Sequence, residues 1–228
     1  MLKVEAIEIF RHEMRTRLPF RYGIVTMTDL PHLFIRARVT LDGETSTGLA
    51  ADHLPPKWFT KEAAVPLDRE IDDMLAVITH AAEAALALQA ETPFAWWHQL
   101  WTRQAAWAAE HGHPALLAHF GTSLIERAVI DAVCRARRLP WHQLLRTADL
   151  GVDWIGLAPE FPASGWVDLL PAVPPASATL RHTVGLADAI RADEVQDRPA
   201  DDLPVSLEES IRAYGLREFK LKLSGDAL

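Results

Sequence analysis

Two lysines separated by one residue, in the run Phe219-Lys220-Leu221-Lys222-Leu223, carry the strongest chemical signal in this sequence. Side chains alternate across a strand, so Phe219, Leu221 and Leu223 share one face while Lys220 and Lys222 share the other. In an open sheet beside water both lysines are simply solvated. In a β/α barrel the apolar face meets the surrounding helices and the other face points inward. The lysines then sit together near the strand's C-terminal end, where such folds place catalysis. Desolvation and a like charge both disfavour ammonium, which makes one lysine available as a neutral base near pH 7. The spacing alone leaves both placements open.

The elements needed to position these lysines are legible just upstream. Leu180 to Leu186 reads as a short strand and Pro204 to Tyr214 as a helix. That helix opens near Ser206 with Glu208 and Glu209 in its first turn and stops at Gly215. Glu218 to Ser224 follows as a second strand. Strand, helix and strand in this order, joined by more than a dozen residues, is how a parallel β/α unit begins.

The N-terminal half has a different grammar. Val4 to Phe10 reads as a strand with an irregularity near Ala6 and Ile7, and His32 to Leu41 as a strand whose odd-numbered residues are apolar, with Pro31 just ahead of it. Asp42-Gly43 is a hairpin turn, and Glu44 to Ala50 returns. Two further segments, Arg11 to Asp29 and Asp52 to Pro56, read as loops able to act as lids. Three helices are predicted next. The first runs from near Thr60 or Val65 to Gln89, with Leu67, Ile71, Leu75, Ile78, Ala82 and Ala85 on one face. The second is capped by Thr92-Pro93, with Phe94, Trp97, Trp101 and Ala105 on its packed side. The third runs from about Pro114 to Leu139-Pro140, presenting Leu117, Phe120, Leu124, Ala128 and Ala132. Asp149 to Ala178, with five prolines and little periodicity, reads as a linker or irregular insertion.

The order of antiparallel sheet, three helices ending in Ile125-Glu126-Arg127-Ala128-Val129-Ile130-Asp131, then Leu139-Pro140 and Leu144-Leu145, then strand, helix and Lys-x-Lys strand, resembles the enolase superfamily. Within it the match is to the mandelate racemase and muconate lactonizing branch, over nearly the whole chain. The resemblance implies an α+β capping domain at 1–140, a three-stranded antiparallel sheet with helices. After it come a Pro-rich linker or insertion at 141–179 and the first two strands of an incomplete β/α barrel at 180–228.

It also implies chemistry. Lys222 would abstract a proton α to the carboxylate of a small substrate, and Lys220 would lower the pKa of Lys222 and contact the carboxylate. A carbon acid this weak needs positive charge beside the forming enediolate, which a metal and fixed cations supply. The family's ion is Mg²⁺. Its carboxylate ligands lie at the ends of the third to fifth barrel strands, so they are expected beyond residue 228 and no metal ligand is assigned in this chain. By resemblance the reaction is that of a magnesium-dependent lyase or isomerase: a dehydratase, racemase, epimerase or cycloisomerase. Two capping-domain segments close over substrate in the family, and the matching positions make Tyr22 and His53 substrate contacts; as ordinary loop side chains they need no such role. Relatives assemble as oligomers, which implies a homo-oligomer. The chain is expected to be part of a longer enzyme, or else a catalytically inactive fragment that serves as an interaction or oligomerisation module. Exposed Phe219, Leu221 and Leu223 would then favour association.

Composition narrows the field. The 228 residues are 49% hydrophobic and 24% charged, which excludes a disordered tail, a collagen-like repeat and a coiled coil. With 23 basic against 31 acidic residues the net charge is −8, and no basic run offers a footprint for nucleic acid. The single cysteine, Cys134, reads as a small buried hydrophobe and fits a reducing cytoplasm. No apolar stretch approaches the ~18 residues of a membrane span, and no export signal opens the chain. His111-Gly112-His113 lacks a third ligand at defined spacing and reads as a polar turn. Gly121-Thr122-Ser123 lacks the second glycine of a nucleophile elbow. The tryptophans Trp96, Trp97, Trp101 and Trp107 are spaced for packing.

Overall fold

A computed structural model describes residues 1–160 and 166–223. It divides into two compact units, Met1–His12 with Pro31–Pro174, and Glu13–Leu30 with Pro175–Leu228. Residues 161–165 of the Pro-rich segment and Ser224, the expected end of the last strand, lie outside the described residues.

The first unit is built on an antiparallel sheet of β1 (Leu2–Tyr22), β2 (Val25–Leu41), β3 (Glu44–His53) and β4 (Gln89–Ala90), in the order β3-β2-β1-β4. The two-residue β4 widens the three-stranded sheet expected from the sequence; it is too short to carry a period of its own. Across the Asp42-Gly43 turn Leu41 pairs with Glu44, and counting outward the register runs to His32 opposite His53. The alternation in β2 is realised fully: Leu33, Ile35, Ala37, Val39 and Leu41 are at most 3% exposed.

That face packs on α1 (Leu67–Leu86), α2 (Pro93–Glu110) and α3 (Ala115–Arg137). Close approach is bought with glycine at two points. A Cβ on Gly48 would lie 2.0 Å from the Ala128 carbonyl oxygen of α3, and one on Gly121 would lie 2.3 Å from the Val77 carbonyl oxygen of α1. The Gly121-Thr122-Ser123 segment is therefore helix-packing surface.

The buried face of α2 differs from the one its tryptophans suggest. Trp96, Leu100, Gln104 and Ala108 are inside, while Trp101 is 40% exposed. The reason is Gln104, fully buried yet satisfied: its Nε2 donates to the carbonyls of Val77 and Ala118 at 2.8 and 3.1 Å, and its Oε1 lies 2.6 Å from His80 Nδ1. A buried amide with its partners in place costs little, whereas indoles tolerate a half-wet position. The face of α1 is likewise turned toward Met74, Val77, Ile78, Ala81 and Ala85, leaving Leu67 41% exposed. Beyond α3 the chain forms two single-turn helices, α4 (Trp141–Leu144) and α5 (Trp154–Leu157), and a 3-10 turn at Trp166–Leu169. Cys134 is half-buried, and burial pushes its thiol pKa up.

The second unit contains β5 (Arg181–Val184), α6 (Leu207–Tyr214) and β6 (Glu218–Leu221), with β5 and β6 paired in parallel. Ser206 caps α6 in a reciprocal box with Glu209, and Gly215 ends it at φ +62°. The segment expected to be a polar loop, Arg11 to Asp29, is instead strand: β1 and β2 continue to a turn at Gly23 and Ile24. Its polar residues are held by the hairpin itself. Arg15 pairs with Asp29 at 3.0 Å, and the Thr16 hydroxyl lies within 3.3 Å of the carbonyls of Met27 and Thr28. Thr16, Leu18, Phe20 and Tyr22 of β1 and Val25 and Met27 of β2 are the less exposed residues along this stretch, a period-two signal on each strand diluted by arginines.

Candidate functional site

In the second unit the parallel register sets Thr183 beside Lys220 and Val184 beside Leu221, and the Lys222 amide extends the ladder by donating to the Val184 carbonyl at 3.0 Å. Lys220 and Lys222 are both half-buried. The apolar residues that alternate with them are the exposed ones, with Phe219 at 37%, Leu221 at 59% and Leu223 at 83%. The charge of Lys222, then that of Arg181, then desolvation hold the Lys220 ammonium below the ordinary lysine value. The neighbour-charge effect thus falls on Lys220. Alternation sends His182 and Val184 to the opposite face of β5, where a cavity of about 830 Å³ is lined by Arg17, Phe20, Ser210 and Tyr214 among others. Arg17 is fixed there by both oxygens of Asp201 and by the carbonyls of Leu203 and Pro204.

Tyr22, expected in a loop, ends strand β1 and is 8% exposed, its ring 5.8 Å from that of Phe20. It falls in the same unit as the lysines. His53, also expected in a loop, ends strand β3 in the first unit, where its Nδ1 lies 2.8 Å from His32 Nδ1. Both corrections have one cause: hairpin pairing extends strands through positions whose composition is polar. His32 was missed as a partner, although its place opposite His53 follows from counting outward from the Asp42-Gly43 turn.

Other groups of chemical interest lie in the first unit. Glu126 of α3 accepts from the Trp97 side chain, and burial pushes its carboxyl up to about 7 against the opposing effects of that bond and Arg127. His111 and His113 stack on Trp107, with centroids at 4.6 and 5.3 Å, and the Trp107 carbonyl lies 2.8 Å from His111 Nδ1. This is a turn, as its sequence suggested, with both imidazoles laid on an indole. Among the described residues no group of three or more His, Cys, Asp or Glu side chains converges to hold a metal ion. These residues do not fit a magnesium site. No helix among them is long and apolar enough to cross a membrane.

The first unit is an antiparallel sheet backed by three helices, and the second holds a parallel β/α unit. Among solved structures this fold is similar to that of enolase-superfamily proteins of the mandelate racemase and muconate lactonizing type. An enolase from Pseudomonas fluorescens Pf0-1, with bound magnesium, potassium and tartrate, superposes over 97% of this chain and 45% of its own (TM-score 0.58, 15% identity). A mandelate racemase/muconate lactonizing protein from Herpetosiphon aurantiacus matches over 99% and 46% (TM-score 0.54, 16% identity). A dipeptide epimerase from Methylococcus capsulatus, complexed with Mg and the dipeptide L-Arg-D-Lys, matches over 98% and 47% (TM-score 0.50, 18% identity). The chain spans less than half the length of each. No family model and no curated protein matches the sequence.

Proposed function

We propose that this chain supplies the cap and the lysine-bearing strand of an enolase-superfamily enzyme that removes a proton α to the carboxylate of a small substrate. The observation that carries the reading is the pairing of Lys220 and Lys222 on one face of β6, half-buried beside Thr183 of a parallel neighbour. On this reading Lys222 is the base and Lys220 its electrostatic partner. The Lys222 charge holds the Lys220 ammonium below the ordinary lysine value, and Lys220 sets a second amine beside Lys222. Tyr22 and His53 contact the distal part of the substrate. Racemase, epimerase, dehydratase and cycloisomerase outcomes all begin with this proton transfer. Residues 1–140 form the cap, 141–179 the linker and 180–228 the barrel portion. The assembly is a homo-oligomer in the cytoplasm.

Two of the neighbouring structures, the Pseudomonas enolase and the Methylococcus epimerase, hold magnesium, and that ion would supply charge stabilisation when bound. The described residues offer it no ligand set, so on this reading the ligands come from elsewhere. The same observation favours a second reading, in which the chain is an inactive interaction or oligomerisation module acting through its capping domain.

The test is solvent deuterium exchange at the α-carbon of tartrate, mandelate and dipeptides, catalysed by the protein as it occurs natively. Exchange abolished by Lys222→Ala, with circular dichroism unchanged, supports the first reading. Exchange that persists in Lys222→Ala removes Lys222 as the base. Absence of exchange in the native protein with all three substrate types, together with self-association of the 228-residue chain, favours the second. Tight stoichiometric Mg²⁺ binding by the 228-residue chain would overturn the statement that its residues do not fit the ion.

A further inference from the structure

At the end of the β2–β3 hairpin, in the first unit, two imidazoles share a contact, and only one of them, His53, has a place in the proton-abstraction reading. His32 Nδ1 and His53 Nδ1 are 2.8 Å apart, and the rings meet edge to face with centroids at 4.3 Å. Phe34 stacks on His32 at 4.6 Å, and His32 Nε2 is buried with no hydrogen-bond partner. Two ring nitrogens this close require one proton between them, one ring donating and the other accepting. The enclosed His32 Nε2 settles the direction. An N–H without an acceptor is a rarer and costlier orphan than a bare lone pair. His32 therefore donates from Nδ1, and His53 accepts at Nδ1 and carries its own proton on Nε2.

This tautomer leaves two basic nitrogens, and a proton at either has a structural consequence. Protonating His53 at Nδ1 removes the acceptor of the shared bond. Protonating His32 at Nε2 places a charge in an enclosed position with nothing to receive it. We propose that His32 and His53 form a proton-sensitive latch that fixes the end of β3 at neutral pH and releases it in acid.

The surrounding charges are few. Asp52 of β3 favours a charged His32, but it is itself paired with Arg127 of α3 at 2.7 Å. His12 of β1 opposes that charge, as does His53. Burial is the largest influence and, with His53, holds the His32 imidazole below its ordinary value. What the latch holds is the next rung: the Leu54 amide donates to the Pro31 carbonyl at 2.9 Å, and Leu54 is fully buried. Release frays this rung and loosens the segment leading to Lys57.

The experiment is amide hydrogen exchange at Leu54 in the full chain, corrected for the intrinsic pH dependence of exchange, from pH 7.5 to 5. Protection is expected to fall by about tenfold for each pKa unit separating the latched from the free imidazoles. In His53→Asn, whose Oδ1 stands where His53 Nδ1 stood and accepts from His32 but does not titrate in this range, the fall is expected to vanish. Protection that is flat in the wild type, or that falls equally in His53→Asn, overturns the latch. Imidazole ¹⁵N shifts of the wild type at pH 7.5 give a check that needs no variant. His32 protonated at Nδ1 and His53 at Nε2 supports the proposal, and both rings protonated at Nε2 sinks it.

Discussion

The ammonium of Lys57 lies 2.6 Å from Glu70 Oε1, while the backbone amide of the same lysine donates to Glu70 Oε2 at 2.5 Å. One residue thus holds both oxygens of a carboxylate in the first turn of α1. The ammonium also donates to the carbonyls of Glu62 and Val65, so the turn 57–66 is wound around a single buried cation. Both side chains are about 95% buried, which distinguishes this pair from the surface ion pairs elsewhere in the chain.

Removing one partner should therefore be expensive. Lys57→Met leaves Glu70 charged, buried and short of a donor, and is expected to lower stability by about 3–5 kcal/mol. Urea denaturation of Lys57→Met, Glu70→Leu and the double variant measures it. The double variant is expected to recover part of the loss, and a double-variant loss equal to the sum of the two single losses would mean that the pair itself contributes nothing.

Gly48→Ala tests the contact between β3 and α3. The new methyl meets backbone atoms of Ala128 and Ala132, none of which is a flexible side-chain end, and a cost of about 2–3 kcal/mol is expected. Gly43→Ala is the control: its Cβ has open space, and only the φ of +84° at the turn opposes it. Thermal unfolding that ranks Gly43→Ala as the more damaging would contradict this packing.

Glu126 gives a pH dependence of definite sign. Its folded carboxyl titrates at about 7 against 4.5 for the free group. The folded state therefore holds the proton more tightly, and this contribution to stability is present below pH 4.5 and lost as pH rises through about 7. Glu126→Gln keeps an acceptor for Trp97 and carries no charge. It is expected to match the wild type at pH 4 and to exceed it by roughly 2–3 kcal/mol at pH 8. Stability curves that stay parallel from pH 4 to 8 would refute the assignment.

Ser206→Ala removes the hydroxyl that accepts from Glu209 N at 3.2 Å. The loss is expected to be about 1 kcal/mol and confined to α6. Faster amide exchange in residues 207–214, without change in α1 to α3, is the measurement.

Much of this architecture is a local property of the chain. The Asp42-Gly43 turn fixes which residues of β2 and β3 face each other, including His32 and His53, because a two-residue turn permits one register. Ser206 with Glu209 opens α6 and Gly215 closes it, since each satisfies backbone groups within one turn. Period two puts Lys220 and Lys222 on one face wherever β6 lies. Other features needed the partner that only folding brings. Strands β1 and β2 persist through Arg11 to Asp29 because each supplies the other's hydrogen bonds, which composition does not encode. The face of α2 is set by Gln104, whose burial is tolerable only because carbonyls of α1 and α3 reach it. The proton shared by His32 and His53, the enclosure of Glu126 and the cation at Lys57 depend on desolvation by residues distant in sequence. Spacing reports direction along one element; burial is decided by what packs against it.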